Sequence, residues 1–169
     1  MDYKTSEVLE FIEENDVKFI RLAFCDIFGN QKNITIMPSE LKRAFEEGIS
    51  FDASAVTGFM KEEESDLLLF PQARTMYLLP WRPQHGRVVR FFCNIKHPDG
   101  RSFEGDCRNI LKKVIDDSKE RGFVCKIGCE SEFYLFEQDE FGNPTLNPYD
   151  RGIYCDIYPN DRCENIRRD

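Results

Sequence analysis

The spacing of hydrophobic and polar residues changes several times along this chain, and each spacing predicts a different element. Between residues 5 and 15, Val8, Leu9, Phe11 and Ile12 stand among glutamates, which predicts an amphipathic helix capped by Thr5 or Ser6. Residues 17–25 (VKFIRLAFC) alternate in part, as a strand does, and residues 31–37 (QKNITIM) read as the return strand. The DIFGN stretch between them is a turn in which Gly29 is free to take positive φ, so the pair predicts a β-hairpin. Pro38 and Ser39 open a short helix that Gly48 closes. Residues 49–65 read as irregular. Leu67 to Phe70 reads as a short buried strand ended by Pro71, and Tyr77 to Leu79 as another. A turn at Gln84 to Arg87 leads into an alternating strand, Val88 to Ile95, and HPDGR (97–101) is a turn.

A second unit begins near Phe103. Ile110, Leu111, Val114 and Ile115 give Cys107 to Gly122 a helical period, with Asp106 as the N-cap and Gly122 as the stop. Residues 123–137 (FVCKIGCESEFYLFE) predict the longest strand of the chain. FGNPT is a turn, Ile153 to Tyr158 a further strand, and the closing residues the start of a helix capped by Asp161 or Asn160. Hairpin, helix and further strands, then a separate helix and strand, make an α+β pattern. One long strand and one helix offer each other few burial partners, which predicts a truncated second domain.

Composition narrows the function classes. The chain has 169 residues, 41% hydrophobic and 32% charged, with fifteen Phe, enough for one domain or one small domain and part of another. Its formal net charge of -8 disfavours binding to phosphate backbones and suits carboxylates gathered around cations. So neither a nucleic-acid partner nor a membrane is expected: no apolar run approaches a membrane span, and the acidic N-terminus lacks a signal-peptide pattern. A cytoplasmic location is the expectation. The seven cysteines include no CxxC pair and are joined by only two histidines, so free thiols in a reducing compartment are expected rather than a zinc site.

Two constellations could carry chemistry. A strand over 126–136 sends Ile127, Cys129, Ser131, Phe133 and Leu135 to one side and Gly128, Glu130, Glu132 and Tyr134 to the other. The two carboxylates then lie about 7 Å apart on one face. A hard cation such as Mg2+ or Mn2+ would relieve their repulsion, and the separation lets each serve a different ion of a two-metal site. A solvated acidic face has the same pattern, and spacing does not choose between the two. The loop SFDASAVTGF (50–59) surrounds Asp52 with small residues, either to present one carboxylate or as a packed connector with Asp52 as a turn residue. Asp66 reads as a strand-edge residue and Glu62-Glu63-Glu64 as solvated surface. Arg87 and Arg90 flank an apolar strand, Arg90 on the side of Val88 and Phe92, where a partly buried ion pair is expected. No Gly-rich phosphate loop or Ser/His/Asp set is present.

Read in order, VKFIRLAFCDIFGNQKNITI, SFDASAVTGF, ESDLLLFP, RFFCNIKHPDGRSFEGDCR and IGCESEFYLF resemble the N-terminal part of a type I glutamine synthetase, from about Val17 to the last residue. The resemblance implies a β-grasp-like N-terminal domain over 14–100. The first helix and strands of the catalytic domain follow over 103–169. That family makes glutamine from glutamate, ammonia and ATP through γ-glutamyl phosphate, with two Mg2+ or Mn2+ ions per site. Its sites lie between neighbouring subunits of a homo-oligomeric ring, typically a dodecamer. By this resemblance Glu132 ligates the metal nearer glutamate and Glu130 the metal nearer the nucleotide phosphates. Asp52 matches the loop aspartate that helps bind ammonium and draw off its proton, and Asp66 lies at the same interface. Ala53 and Ala55 stand where the family loop commonly has Gly and Ser, and Phe59 where some relatives have Trp. A related γ-glutamyl ligase using an organic amine is therefore one other reading, and a stand-alone interaction module a second. The remaining ligands and pockets lie beyond position 169 in the family, so this chain alone is expected to be inactive.

Overall fold

The computed structural model describes residues 4–61, 65–81 and 86–168. The acidic run Glu62-Glu63-Glu64 and residues 84 and 85 of the expected turn lie outside them. Contacts divide the chain into two units, Met1–Cys125 and Lys126–Asp169.

The first unit is built on a six-stranded sheet. Its strands are β1 (Val17–Cys25), β2 (Gln31–Ile36), β3 (Ile49–Asp52), β4 (Asp66–Pro71), β5 (Tyr77–Leu78) and β6 (Arg87–Lys96). They run in the order β2-β1-β6-β4-β3, and β5 pairs with β6. The hairpin forms as the pattern predicts, antiparallel with Ala23 opposite Asn33. Gly29 sits in its turn at φ 83. Asp26 locks that turn, accepting hydrogen bonds from the backbone N–H groups of Phe28 and Asn30, both at 2.9 Å. The central pairing, β1 with β6, is parallel.

Strand alternation puts Ile20, Leu22, Val89, Phe91, Cys93, Ile95, Leu67 and Leu69 on the core face, each fully buried. Burying a Leu or Phe completely stabilises the fold by roughly 1.5–3 kcal/mol each. Two helices join this core. Helix α1 (Thr5–Glu14) buries Val8 and Ile12, one turn apart, and α2 (Leu41–Glu46) buries Leu41 and Ala44. The cap of α1 is Lys4, not Thr5 or Ser6: its backbone N–H donates to the Glu7 carboxylate at 2.9 Å. Asp106 does cap α3 (Cys107–Glu120), accepting from the Arg108 N–H at 3.0 Å. Its other oxygen accepts from the N–H of Ile95 at 3.0 Å, which ties the helix start to β6. Three further sequence expectations fail in this unit. Residues 49–52 form β3 rather than irregular chain, because Ile49 and Phe51 alternate with Ser50 and Asp52 and find β4 as a partner. Arg90 makes no ion pair among the described residues. Residues 123–125 belong to no strand.

The second unit holds one antiparallel pair, β7 (Phe136–Gln138) with β8 (Pro144–Pro148), and a short helix, α4 (Glu164–Arg168). The long strand expected over 123–137 is present only as Phe136–Gln138. A strand persists where its N–H and C=O groups meet a ladder partner, and no described strand pairs with residues 126–135. The strand expected at Ile153 to Tyr158 is likewise replaced by turns, with the N–H of Asp156 on the carbonyl of Ile153 at 3.0 Å. No helix among the described residues is long and apolar enough to cross a membrane.

Candidate functional site

Asp52 ends β3 and opens a 3-10 turn at Ala53–Ala55. Its carboxylate accepts from the Ser54 hydroxyl at 2.6 Å and from the Ser54 N–H at 2.9 Å. The Ser54 hydroxyl, seconded by the Ser54 N–H, holds this carboxyl below its usual range, so it is ionised at neutral pH. The following loop is anchored on both sides. Ala53 is fully buried, and the Phe59 ring packs on Phe24 and Phe103 with centroids 6.2 and 5.0 Å away. Gly58 turns at φ +85, a left-handed backbone that favours glycine, and a Cβ there would lie 2.1 Å from Cδ1 of Ile27, which would have to swing aside. The loop is thus a packed connector that also presents an exposed carboxylate.

The sheet register brings Asp66 directly opposite Asp52. Like charges facing each other across an antiparallel pair repel, an arrangement that favours cations at this end of the sheet. Neither aspartate has an ion-pair partner among the described residues.

Glu130 and Glu132 lie in the second unit on chain without regular structure, both exposed. Neither makes a hydrogen bond or ion pair with a described residue. The pleat that would align them on one face is absent. Glu132 lines an open basin of about 800 Å3 with Tyr134, Asp150, Cys155, Asp161 and Arg167; Glu130 is not part of its wall.

The basin contains a cluster that sequence reasoning missed. Asp150, Asp161 and Cys163 bring potential ligand atoms within 4.8 Å of one another. Its only signal is the D-x-C spacing after Asp150, with nothing to show that the chain folds back. These groups are already engaged, however. Asp161 accepts from Arg167 through both guanidinium ends and from the Cys163 N–H at 2.9 Å, and Asp150 accepts from the Arg162 N–H at 2.8 Å. The Asp150 carboxylate, hydrogen-bonded to the thiol, pushes the Cys163 pKa up, away from the thiolate a metal needs. The cluster reads as a fold-back lock. By contrast, the carboxylates of Glu130 and Glu132, unpaired among the described residues, suit a hard divalent cation in donor chemistry.

A β-hairpin, parallel central pairing and helices on one face define a β-grasp-type α+β domain, followed here by a second unit rich in carboxylates. The family model described as glutamine synthetase, beta-Grasp domain, matches residues 16–98, and that for the glutamine synthetase catalytic domain matches 104–169. The chain belongs to the glutamine synthetase family. Glutamine synthetase of Clostridium saccharobutylicum is 45% identical over 167 residues, which is 99% of this chain and 38% of that protein. The Methanosarcina mazei glutamine synthetase is 44% identical over 96% of this chain and 36% of its own length. The chain therefore spans less than two fifths of the curated relatives it matches. Two solved structures share the fold. Plasmodium falciparum glutamine synthetase, determined by cryo-EM, has a TM-score of 0.63 at 24% identity, covering 88% of this chain and 30% of its own. A GmaS/ADP complex has a TM-score of 0.62 at 21% identity, covering 72% of this chain and 26% of its own.

Proposed function

We propose that this chain serves ATP-dependent ligation of ammonia to the γ-carboxylate of glutamate, as part of a cytoplasmic, homo-oligomeric glutamine synthetase. What supports this reading is that the family models match the stretches holding Asp52, Glu130 and Glu132, which the sequence resemblance puts at the family's motif positions, and that the two glutamates have no protein partner among the described residues. In the proposal Glu132 and Glu130 each hold one of two Mg2+ or Mn2+ ions. Bound there, such ions supply positive charge to the transferring phosphoryl group. Asp52, kept ionised by Ser54, attracts ammonium and accepts a proton as the nitrogen becomes nucleophilic. Asp66, opposite it in register, keeps this end of the sheet negative. With one carboxylate from this chain per ion, water must fill most of each coordination shell, so the chain alone is expected to bind these ions weakly and to make no glutamine.

Ala53 and Ala55 favour a second reading, a sister ligase that takes an organic amine. Full burial of Ala53 leaves it no role in contacting the donor, so the difference rests on Ala55, which offers no hydroxyl to ammonium. A chimera tests both, with this chain replacing the matching part of the Clostridium saccharobutylicum protein. Asp52→Ala should raise the KM for ammonium more than that for ATP; equal effects would reduce Asp52 to a structural turn residue. Faster turnover with methylamine than with ammonium would establish the second reading.

A further inference from the structure

The outer face of the β-grasp sheet carries a feature that the ligase reading does not use. Residues 67–98 contain four arginines, one lysine and no Asp or Glu, in a chain whose net charge is -8. Two arginines meet on this face. Arg21 of β1 and Arg90 of β6 are register partners in the parallel pair, so their side chains leave the sheet side by side. Neither has a carboxylate within salt-bridge distance among the described residues. The Nε of Arg90 is buried and without a hydrogen-bond partner. An orphaned buried donor of this kind costs roughly 1–3 kcal/mol, more when charged.

Aromatic rings hold both guanidinium groups in place. Cζ of Arg90 lies 4.4 Å from the Phe92 ring centroid and 5.5 Å from that of Tyr77, and Cζ of Arg21 lies 5.9 Å from the Trp81 ring. Between them is a recess of about 40 Å3, which Gln31 and Asn33 of β2 complete with side-chain amides. The volume is close to that of one or two waters, so it takes a single small head group and no nucleotide. Planar guanidinium forks and amide N–H donors match a carboxylate. The recess also lies far from Asp52. Register puts Asp66, opposite Asp52, level with the position two residues past Lys96, roughly 25 Å along the sheet from Arg90.

We infer that Arg21 and Arg90, with Gln31 and Asn33, form a binding site for a small organic carboxylate, separate from Asp52 and Asp66. Trp81 is the one tryptophan of the chain and lines the recess, so it reports occupancy directly. The test is a titration of the 169-residue chain with malonate at constant ionic strength, followed by Trp81 emission. A saturable change is expected, and Arg21→Gln should weaken it by roughly ten-fold or more. Arg21 is the first choice because its guanidinium makes no hydrogen bond among the described residues; Asn33→Leu gives a second variant that leaves both charges in place and should also weaken binding. Lys96→Gln, at the far end of β6, should bind as the parent does. A linear response equal to that of chloride would overturn the proposal, as would unchanged affinity in both recess variants. Phosphate binding as tightly as malonate would overturn the carboxylate assignment. An emission change that tracks chain concentration instead of malonate would replace the ligand with a carboxylate from a second copy.

Discussion

Asp106→Ala should destabilise the first unit by far more than an ordinary cap loss. Two backbone donors depend on this one carboxylate: Oδ1 accepts from the N–H of half-buried Arg108 and Oδ2 from that of buried Ile95, each at 3.0 Å. Losing the cap costs about 1 kcal/mol. Leaving the N–H of fully buried Ile95 unsatisfied costs about 1–3 kcal/mol more, so the variant should lose about 2–4 kcal/mol. That is a large share of the roughly 5–15 kcal/mol that holds a typical domain. Asp106→Asn keeps one acceptor and should lose about half as much. Urea unfolding followed by far-UV circular dichroism measures both, provided the slope with denaturant is unchanged. The pH dependence supplies a second check. Burial pushes the Asp106 carboxyl above its ordinary value of 3.8, against hydrogen bonds from Ile95 and Arg108 that lower it. A raised folded pKa adds stability at low pH that is lost as pH rises through that folded value. The gap between parent and Asp106→Asn should therefore widen as pH falls towards the ordinary carboxylate value. A loss below about 1 kcal/mol for Asp106→Ala would show that water satisfies the Ile95 N–H and would refute the argument.

Two further substitutions probe the Asp52 loop. Gly58→Ala should cost at least about 1–2 kcal/mol from its left-handed backbone alone. Adding Ile27→Ala, which removes the clash at 2.1 Å, should recover part of any loss beyond that; full recovery would mean that the backbone carries no strain. Ser54→Ala should return the Asp52 carboxyl towards its ordinary value, read by carboxyl NMR titration. Because the Ser54 bonds lower that pKa, their stabilisation is present above the ordinary value and lost as pH falls through the folded one. An unmoved Asp52 titration in Ser54→Ala would remove Ser54 from the account.

Local patterns sufficed wherever an element met its partner nearby in sequence. The β1–β2 hairpin is closed by its own turn, and Val8 and Ile12 mark the buried stripe of α1. Asp106 was identifiable as a cap from position alone, but its bond to Ile95 was not, since that depends on how β6 lies beside the helix start. The four-residue β3 is too short for periodicity to separate from loop. Residues 126–135 alternate as a strand should, yet alternation states which side each residue would face and not whether a ladder partner exists. Asp52 and Asp66 were each candidates singly; their direct opposition comes from the β3–β4 register. Arg90 misled for a related reason. A partly buried arginine in a strand suggests a carboxylate nearby, and here Phe92 and Tyr77 take that place.

The central claim is that Asp52, Glu130 and Glu132 belong to a working glutamate–ammonia ligase. The chimera with the Clostridium saccharobutylicum protein tests it most directly, by glutamine release from glutamate, ammonium and ATP with Mn2+ present. Assembly is checked beforehand by sedimentation. Glutamine formation by the assembled chimera is expected, and its loss in Glu132→Gln together with sharply weakened Mn2+ binding. An assembled chimera that binds ATP and makes no glutamine, or a Glu132→Gln chimera with undiminished Mn2+ affinity, would contradict it.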